Sequence, residues 1–213
     1  MQFSVHSVPV PAIEDDARRT RVGRLKMLFV LLVCAAPVIA SYLTYYVIRP
    51  EGRSNYGTLI LPQRPLPALT LNDLQGRPVA AGSLKDQWLL VVVAGGACDG
   101  TCERQLYLQR QLREALGRDR DRLDKVWFVT DAAPVRPEVQ QAIPLTQVLR
   151  ADAAQLASWL EPEPGHALGD HLYVVDPMGY WMMRFPAQAD PARIKRDLER
   201  LMRASQHWDR AGR

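Results

Sequence analysis

One long uncharged apolar run is followed by a region in which short apolar runs alternate with amphipathic ones. Met27 to Ile48 (MLFVLLVCAAPVIASYLTYYVI) contains no Asp, Glu, Lys or Arg. As a helix rising about 1.5 Å per residue, it is long enough to cross a hydrocarbon layer of roughly 30 Å. The pattern predicts a transmembrane helix, with Tyr42, Tyr45 and Tyr46 forming an aromatic belt at its far end. Arg18, Arg19, Arg21, Arg24 and Lys26 crowd the near end, whereas Arg49 and Arg53, offset by Glu51, follow the run. The positive-inside bias therefore puts the N-terminus in the cytoplasm and the remainder outside. A cleaved signal peptide ending at Val38-Ile39-Ala40 is the rival reading, and it exports the same domain. Gly52 to Pro67 is rich in turn formers and poor in regular pattern.

Beyond it, Leu66 to Leu71 alternates loosely, Asp73 to Arg77 turns around Gly76, and Trp88 to Val93 is continuously apolar. This order predicts a short hairpin leading into a buried strand. Thr101 to Leu116 sets Leu106, Leu108, Leu112 and Leu116 on one helical face and is ended by Gly117. Val126 to Thr130 predicts a second buried strand, Val148 and Leu149 mark a weaker one, and Ala153 to Leu160 predicts a short helix. Leu172 to Val175 and Trp181 to Phe185 predict a hairpin around Pro177-Met178-Gly179. Pro191 to Met202 closes the pattern as a helix capped by Asp190. The expected fold class is α/β, a three-layer sandwich around a mixed sheet. The expected divisions are a cytoplasmic segment 1–26, a transmembrane helix 27–48, a tether 49–64, a folded domain 65–205 and a polar tail 206–213.

Composition narrows the function classes. The 213 residues are 47% hydrophobic and 23% charged with a formal net charge of +4, which excludes disorder and a disulfide-dense mini-protein. No Lys/Arg stripe with interleaved aromatics accompanies that charge, so no nucleic-acid partner is expected. Of three cysteines, Cys34 lies in the apolar run and reads as a small hydrophobe. Cys98 and Cys102 sit four residues apart, where a strand runs through Gly95-Gly96 into a helix.

The carboxyl end of such a strand is where α/β folds place their sites. A helix N-terminus also favours thiolate, the form that attacks disulfides and binds soft metals. Three readings of the pair are open: a stabilising disulfide, a redox couple, or two ligands of a metal site. Zinc usually wants four protein ligands in a structural site, whereas two thiolates and an imidazole suit Cu(I). Among four histidines, His6 is on the wrong side of the membrane and His207 lies in the tail. His166 and His171 bracket GHALGDH, and His171, immediately before LYVVD, is the candidate third ligand with His166 as its alternative. Met182 and Met183 point to opposite sides of a strand and, like Met178, read as packing. Asp131, after the second strand, is placed either to orient a ligand or to cap a turn.

PALTLNDLQGRPVAAGSLKDQWLLVVVAGGACDGTC resembles the opening of a thioredoxin-like domain. Its C-x-x-x-C spacing, the membrane tether and the late histidine before a Tyr-containing Asp-Pro-x-Gly hairpin resemble the Sco/SenC family of copper-binding cytochrome c oxidase assembly factors. The resemblance covers roughly Pro65 to Met202. It implies a thioredoxin-like fold and copper held by Cys98, Cys102 and His171. It further implies a copper-binding oxidase subunit as partner and a single-pass protein of the bacterial inner membrane with a periplasmic domain. Two positions depart from the family pattern: its histidine falls at about Leu168 here, and Glu103 stands where a proline is common. A general thioredoxin would carry a cis-proline before the hairpin strand, where Gly169-Asp170-His171 has none. The leading expectation is a Cu(I)-binding assembly factor. The alternatives are a thiol-disulfide oxidoreductase, with Cys98 attacking and Cys102 resolving, and an interaction scaffold.

Overall fold

The computed structural model describes residues 13–48, 55–206 and 208–209, in two units divided after Ser54. His6, Arg49, Glu51, Arg53, His207 and most of the expected tail lie outside the described residues. In the first unit α1 (Ile13–Leu43) runs into a π turn (Thr44–Ile48). Within it, Arg19–Val47 is long and apolar enough to cross a membrane. Leu28, Phe29, Leu31 and Leu32 are exposed, a continuous apolar surface that suits lipid and not water. The Thr44 hydroxyl donates to the Ala40 carbonyl at 2.8 Å, which satisfies it within the helix.

The second unit is built on an eight-stranded mixed sheet. Its strands are β1 (Thr58–Pro65), β2 (Thr70–Asn72), β3 (Pro78–Ala80), β4 (Trp88–Ala94), β5 (Leu123–Val129), β6 (Thr146–Ala151), β7 (Tyr173–Val175) and β8 (Tyr180–Arg184). Their order across the sheet is β1-β8-β7-β4-β5-β6-β2-β3. The centre is parallel, with β4 beside β5 from Trp88↔Leu123 to Ala94↔Val129 and β5 beside β6. The flanking pairs, β4 with β7 and β6 with β2, are antiparallel. Parallel neighbours need crossovers. Two helices supply them, α2 (Gly100–Ala115) between β4 and β5 and the short α3 (Pro137–Ala142) between β5 and β6. α4 (Ala153–Trp159) follows β6, and α5 (Pro191–Ala204) is the last helix among the described residues.

The continuously apolar β4 is explained by its two covered faces. Trp88, Leu90 and Val92 join Trp127, Val174 and the α2 and α5 residues Leu106, Leu112, Ile194 and Leu198 in one core. Leu89, Val91 and Val93 join Phe128, Tyr173, Val175 and the α4 residues Leu156 and Trp159 in the other. The expected three layers are present. Residues 58–64, expected in the tether, instead belong to β1, which pairs with β8. Just before it, the Tyr56 and Gly57 N–H groups donate to the Asp197 carboxylate on α5 at 2.7 and 2.9 Å. Most of β1 is exposed, as suits an edge strand, and its sequence carries no strict alternation to mark it.

Candidate functional site

The in-register pairing of β4 with β5 brings Gly95 and Gly96 beside Thr130 to Ala133. A Cβ on Gly95 would stand 2.4 Å from Asp131 Oδ2, and one on Gly96 would stand 2.2 Å from the Ala133 carbonyl oxygen. Only glycine permits this approach. The Gly96 N–H donates to Asp131 Oδ1 at 2.8 Å, and so does the Ala133 N–H at 3.1 Å. Asp131 therefore braces the loop as well as capping its own turn.

The Cys98 N–H then donates to the Gly95 carbonyl at 3.1 Å, and Cys98 takes a left-handed φ of +48°. Asp99 caps α2, its Oδ1 accepting from the Thr101 and Cys102 N–H groups at 3.1 and 2.9 Å. Cys102 thus stands in the first turn, as its spacing predicts, with Cys98 just outside the helix. The two form a disulfide, with their Cα atoms 5.1 Å apart.

Both cysteines are buried, and both line a cleft of about 560 Å³ at the carboxyl end of β4. Its other walls include Thr130, Ala167, Leu168 and Gly169. The 167–170 wall is pinned at several points. Tyr173 donates its hydroxyl to the Leu168 carbonyl at 3.0 Å, and Gln105 Nε2 on α2 donates to the Asp170 carbonyl at 2.9 Å. Burial raises the Tyr173 hydroxyl pKa above the ordinary tyrosine range, so it remains a donor.

His171 is not brought to this cleft. Its ring is fully buried, with Nδ1 2.9 Å from the Phe185 carbonyl and Nε2 accepting from the Glu163 N–H at 3.1 Å. That pair of partners selects the neutral Nδ1–H tautomer and leaves neither nitrogen for a metal. The ring lies edge-on to Tyr173, 6.1 Å between centroids, and Tyr173 belongs to the core opposite the one that holds the cysteines. Burial pushes the His171 pKa below the ordinary histidine value. His166 is half exposed, 3.5 Å from Asp170 through Nδ1, and is absent from the cleft wall. Met178 is exposed and Met183 is buried in the first core, and neither lines the cleft. Among the described residues, no three His, Cys, Asp or Glu groups converge as a metal site.

Arg136 was not singled out by the sequence. It precedes α3 and donates through Nη2 to the Cys98 carbonyl at 2.7 Å and to the Glu103 carboxylate. With the partners 38 positions apart, no spacing pattern reveals the contact.

Comparisons with known proteins agree with the architecture. The described sheet and helices resemble those of the Thermus thermophilus apo Sco1 protein (TM-score 0.51, 17% identity, 72% of this chain and 98% of that one). They likewise resemble a SCO1/SenC family lipoprotein from Bacillus anthracis (0.50, 17%, 67% and 98%) and yeast Sco1 with copper bound (0.50, 13%, 70% and 90%). At such identities the likeness is one of fold, and the fold is thioredoxin-like. No curated protein matches the sequence. The model of the transmembrane-like, thioredoxin-like, C-terminal domain matches residues 88–205, more than half of the chain, and the protein belongs to that family.

Proposed function

We propose that this protein is a membrane-anchored assembly factor that prepares the copper-binding cysteines of a respiratory oxidase subunit by thiol-disulfide exchange. One observation carries the reading: two cysteines joined as a disulfide line a cleft at the carboxyl end of the central strand. The basic residues Arg19 to Lys26 favour a cytoplasmic N-terminus, which leaves the thiols in an oxidising compartment where partner cysteines need a reductant. In the reduced protein the Cys98 thiolate attacks a partner disulfide to give a mixed disulfide. Cys102 then displaces the partner, which leaves with both electrons as a dithiol while Cys98–Cys102 closes. A dithiol reductant on the same side of the membrane resets the pair.

Copper enters as cargo. The yeast and Arabidopsis Sco structures are copper-bound, and two thiolates are soft donors suited to Cu(I). The engaged nitrogens of His171 argue for two-sulfur binding, with Cys98 and Cys102 as the ligands.

The test is equilibration of the detergent-solubilised chain with thiol buffers, read by alkylation mass shift, followed by Cu(I) titration of the reduced form. The expected result is a reversible two-electron equilibrium, and Cu(I) binding abolished by Cys98→Ser but kept by His171→Gln. A disulfide resistant to every thiol buffer would make it a structural bridge and sink the reading.

A further inference from the structure

The two acceptors of the Arg136 guanidinium belong to opposite arms of the disulfide loop. One is the carbonyl of Cys98 itself, and the other is the carboxylate of Glu103, the residue after Cys102. Arg136 is in turn held in place. Its backbone is extended at φ −64° and ψ 133°, the conformation a following proline favours, and Pro137 begins α3. The preceding segment is fixed to β6, because Arg150 donates to the Asp131 and Ala133 carbonyls at 2.6 and 3.0 Å. The same segment holds the Gly96 N–H through Asp131. The 130–136 loop therefore grips residues 96–103 at both ends of the disulfide.

Such a grip has most to do when the disulfide is open. Cys98 at φ +48° occupies a region that L side chains disfavour. The covalent bond holds it there in the oxidised protein. After reduction, the hydrogen bonds of its N–H and carbonyl remain to do so, beside the packing of its side chain.

We propose that Arg136 is a positioning residue for the Cys98–Cys102 couple: held at once by the Cys98 carbonyl and the Glu103 carboxylate, it keeps the sulfurs within closing distance in the dithiol form. This rests on the redox reading above. Positioning and simple charge make opposite predictions. A guanidinium acting only through its charge stabilises thiolate, and Glu103 opposes it, so removing the two would move the couple in opposite directions. A bridge needs both ends, so removing either moves the couple the same way.

The experiment equilibrates the full chain in detergent with glutathione. Two glutathione thiols give two electrons and two protons to the disulfide, yielding protein dithiol and glutathione disulfide. The effective concentration of the two protein thiols is compared among wild type, Arg136→Gln, Arg136→Lys, Glu103→Gln and the Arg136→Gln/Glu103→Gln double variant, with melting temperatures in parallel. Both partners are about half exposed, so solvent screens the bridge. Each single variant is expected to lower the effective concentration about threefold. Arg136→Lys falls with them, since both bonds leave the single nitrogen Nη2 and a shorter, tetrahedral ammonium has to be re-aimed to reach both acceptors. The double variant is no worse than Arg136→Gln alone, because the second change removes an interaction already lost. Wild-type values in the single variants, or opposite shifts for Arg136→Gln and Glu103→Gln, would overturn the proposal while leaving the redox reading intact. A wild-type disulfide that no thiol buffer opens would overturn both.

Discussion

Replacing His171 separates the two roles considered for it. The ring donates from Nδ1 to the buried Phe185 carbonyl and accepts at Nε2 from the Glu163 N–H. His171→Leu leaves the Phe185 acceptor unpaired in the core, at about 1–3 kcal/mol, and the part-buried Glu163 donor unpaired at about 1 kcal/mol. The expected destabilisation is about 2–4 kcal/mol. His171→Gln retains one donor and one acceptor and is expected to cost less than about 1.5 kcal/mol. The assay is urea denaturation of the detergent-solubilised chain by tryptophan fluorescence, and all five tryptophans lie beyond residue 87.

The pH dependence has a definite sign. Burial lowers the folded pKa of His171 below 6.5, helped by Arg184 and His166 and opposed by the Phe185 hydrogen bond and Glu163. Between that lowered value and about 6.5 the unfolded chain binds the extra proton, so stability falls as the solution is acidified. The slope cannot exceed about 1.4 kcal/mol per pH unit for one proton. Subtracting the His171→Gln curve removes the contribution of the carboxylates. A difference curve flat from pH 7 to pH 5, or a His171→Leu variant as stable as wild type, would refute this account. So would a large fall in Cu(I) affinity in His171→Gln, which would restore the imidazole to the metal.

Gly96→Ala places a Cβ 2.2 Å from the Ala133 carbonyl, a backbone atom that cannot swing away. The expected loss is about 1–3 kcal/mol in denaturant together with slower disulfide exchange. Arg122 ties the C-terminal segment to the domain through the Met202 and Ser205 carbonyls and Asp209, whose side chain is almost fully buried. Arg122→Ala is expected to cost about 3 kcal/mol and to open the end of the chain to limited proteolysis. Asp99→Asn keeps a helix cap without its charge and is expected to shift the glutathione equilibrium toward dithiol by about threefold.

The central strands and α2 were legible because each carries its own pattern. β4 is continuously apolar since both its faces are covered, and the leucines of α2 repeat at helical spacing. β1 was not, because its stability comes from pairing with β8 and from Asp197, residues over a hundred positions away. At the site, the cysteines followed from a local motif, whereas the histidine was assigned from nearness to a strand. The alternation of that strand already held the correction. Leu172 and Val174 face the core that contains the cysteines, so His171, like Tyr173, lies in the opposite set. Arg136 was illegible for a different reason, since its partners are joined only when two crossovers place their loops side by side.

The electrostatics at the start of α2 bear on the direction in which the couple works. A helix N-terminus stabilises thiolate only with N–H groups that are free to face it. Here the Thr101 and Cys102 N–H groups already face the Asp99 carboxylate, which brings its own negative charge beside the sulfurs. The guanidinium of Arg136 is likewise matched by Glu103. Strong thiol oxidants owe their potential to a stabilised reduced form. This site spends its positive groups on carboxylates, which favours the disulfide and makes the dithiol a ready electron donor. That is the direction the proposed copper-site preparation requires, because a metal binds thiolates and not the disulfide they form in an oxidising compartment.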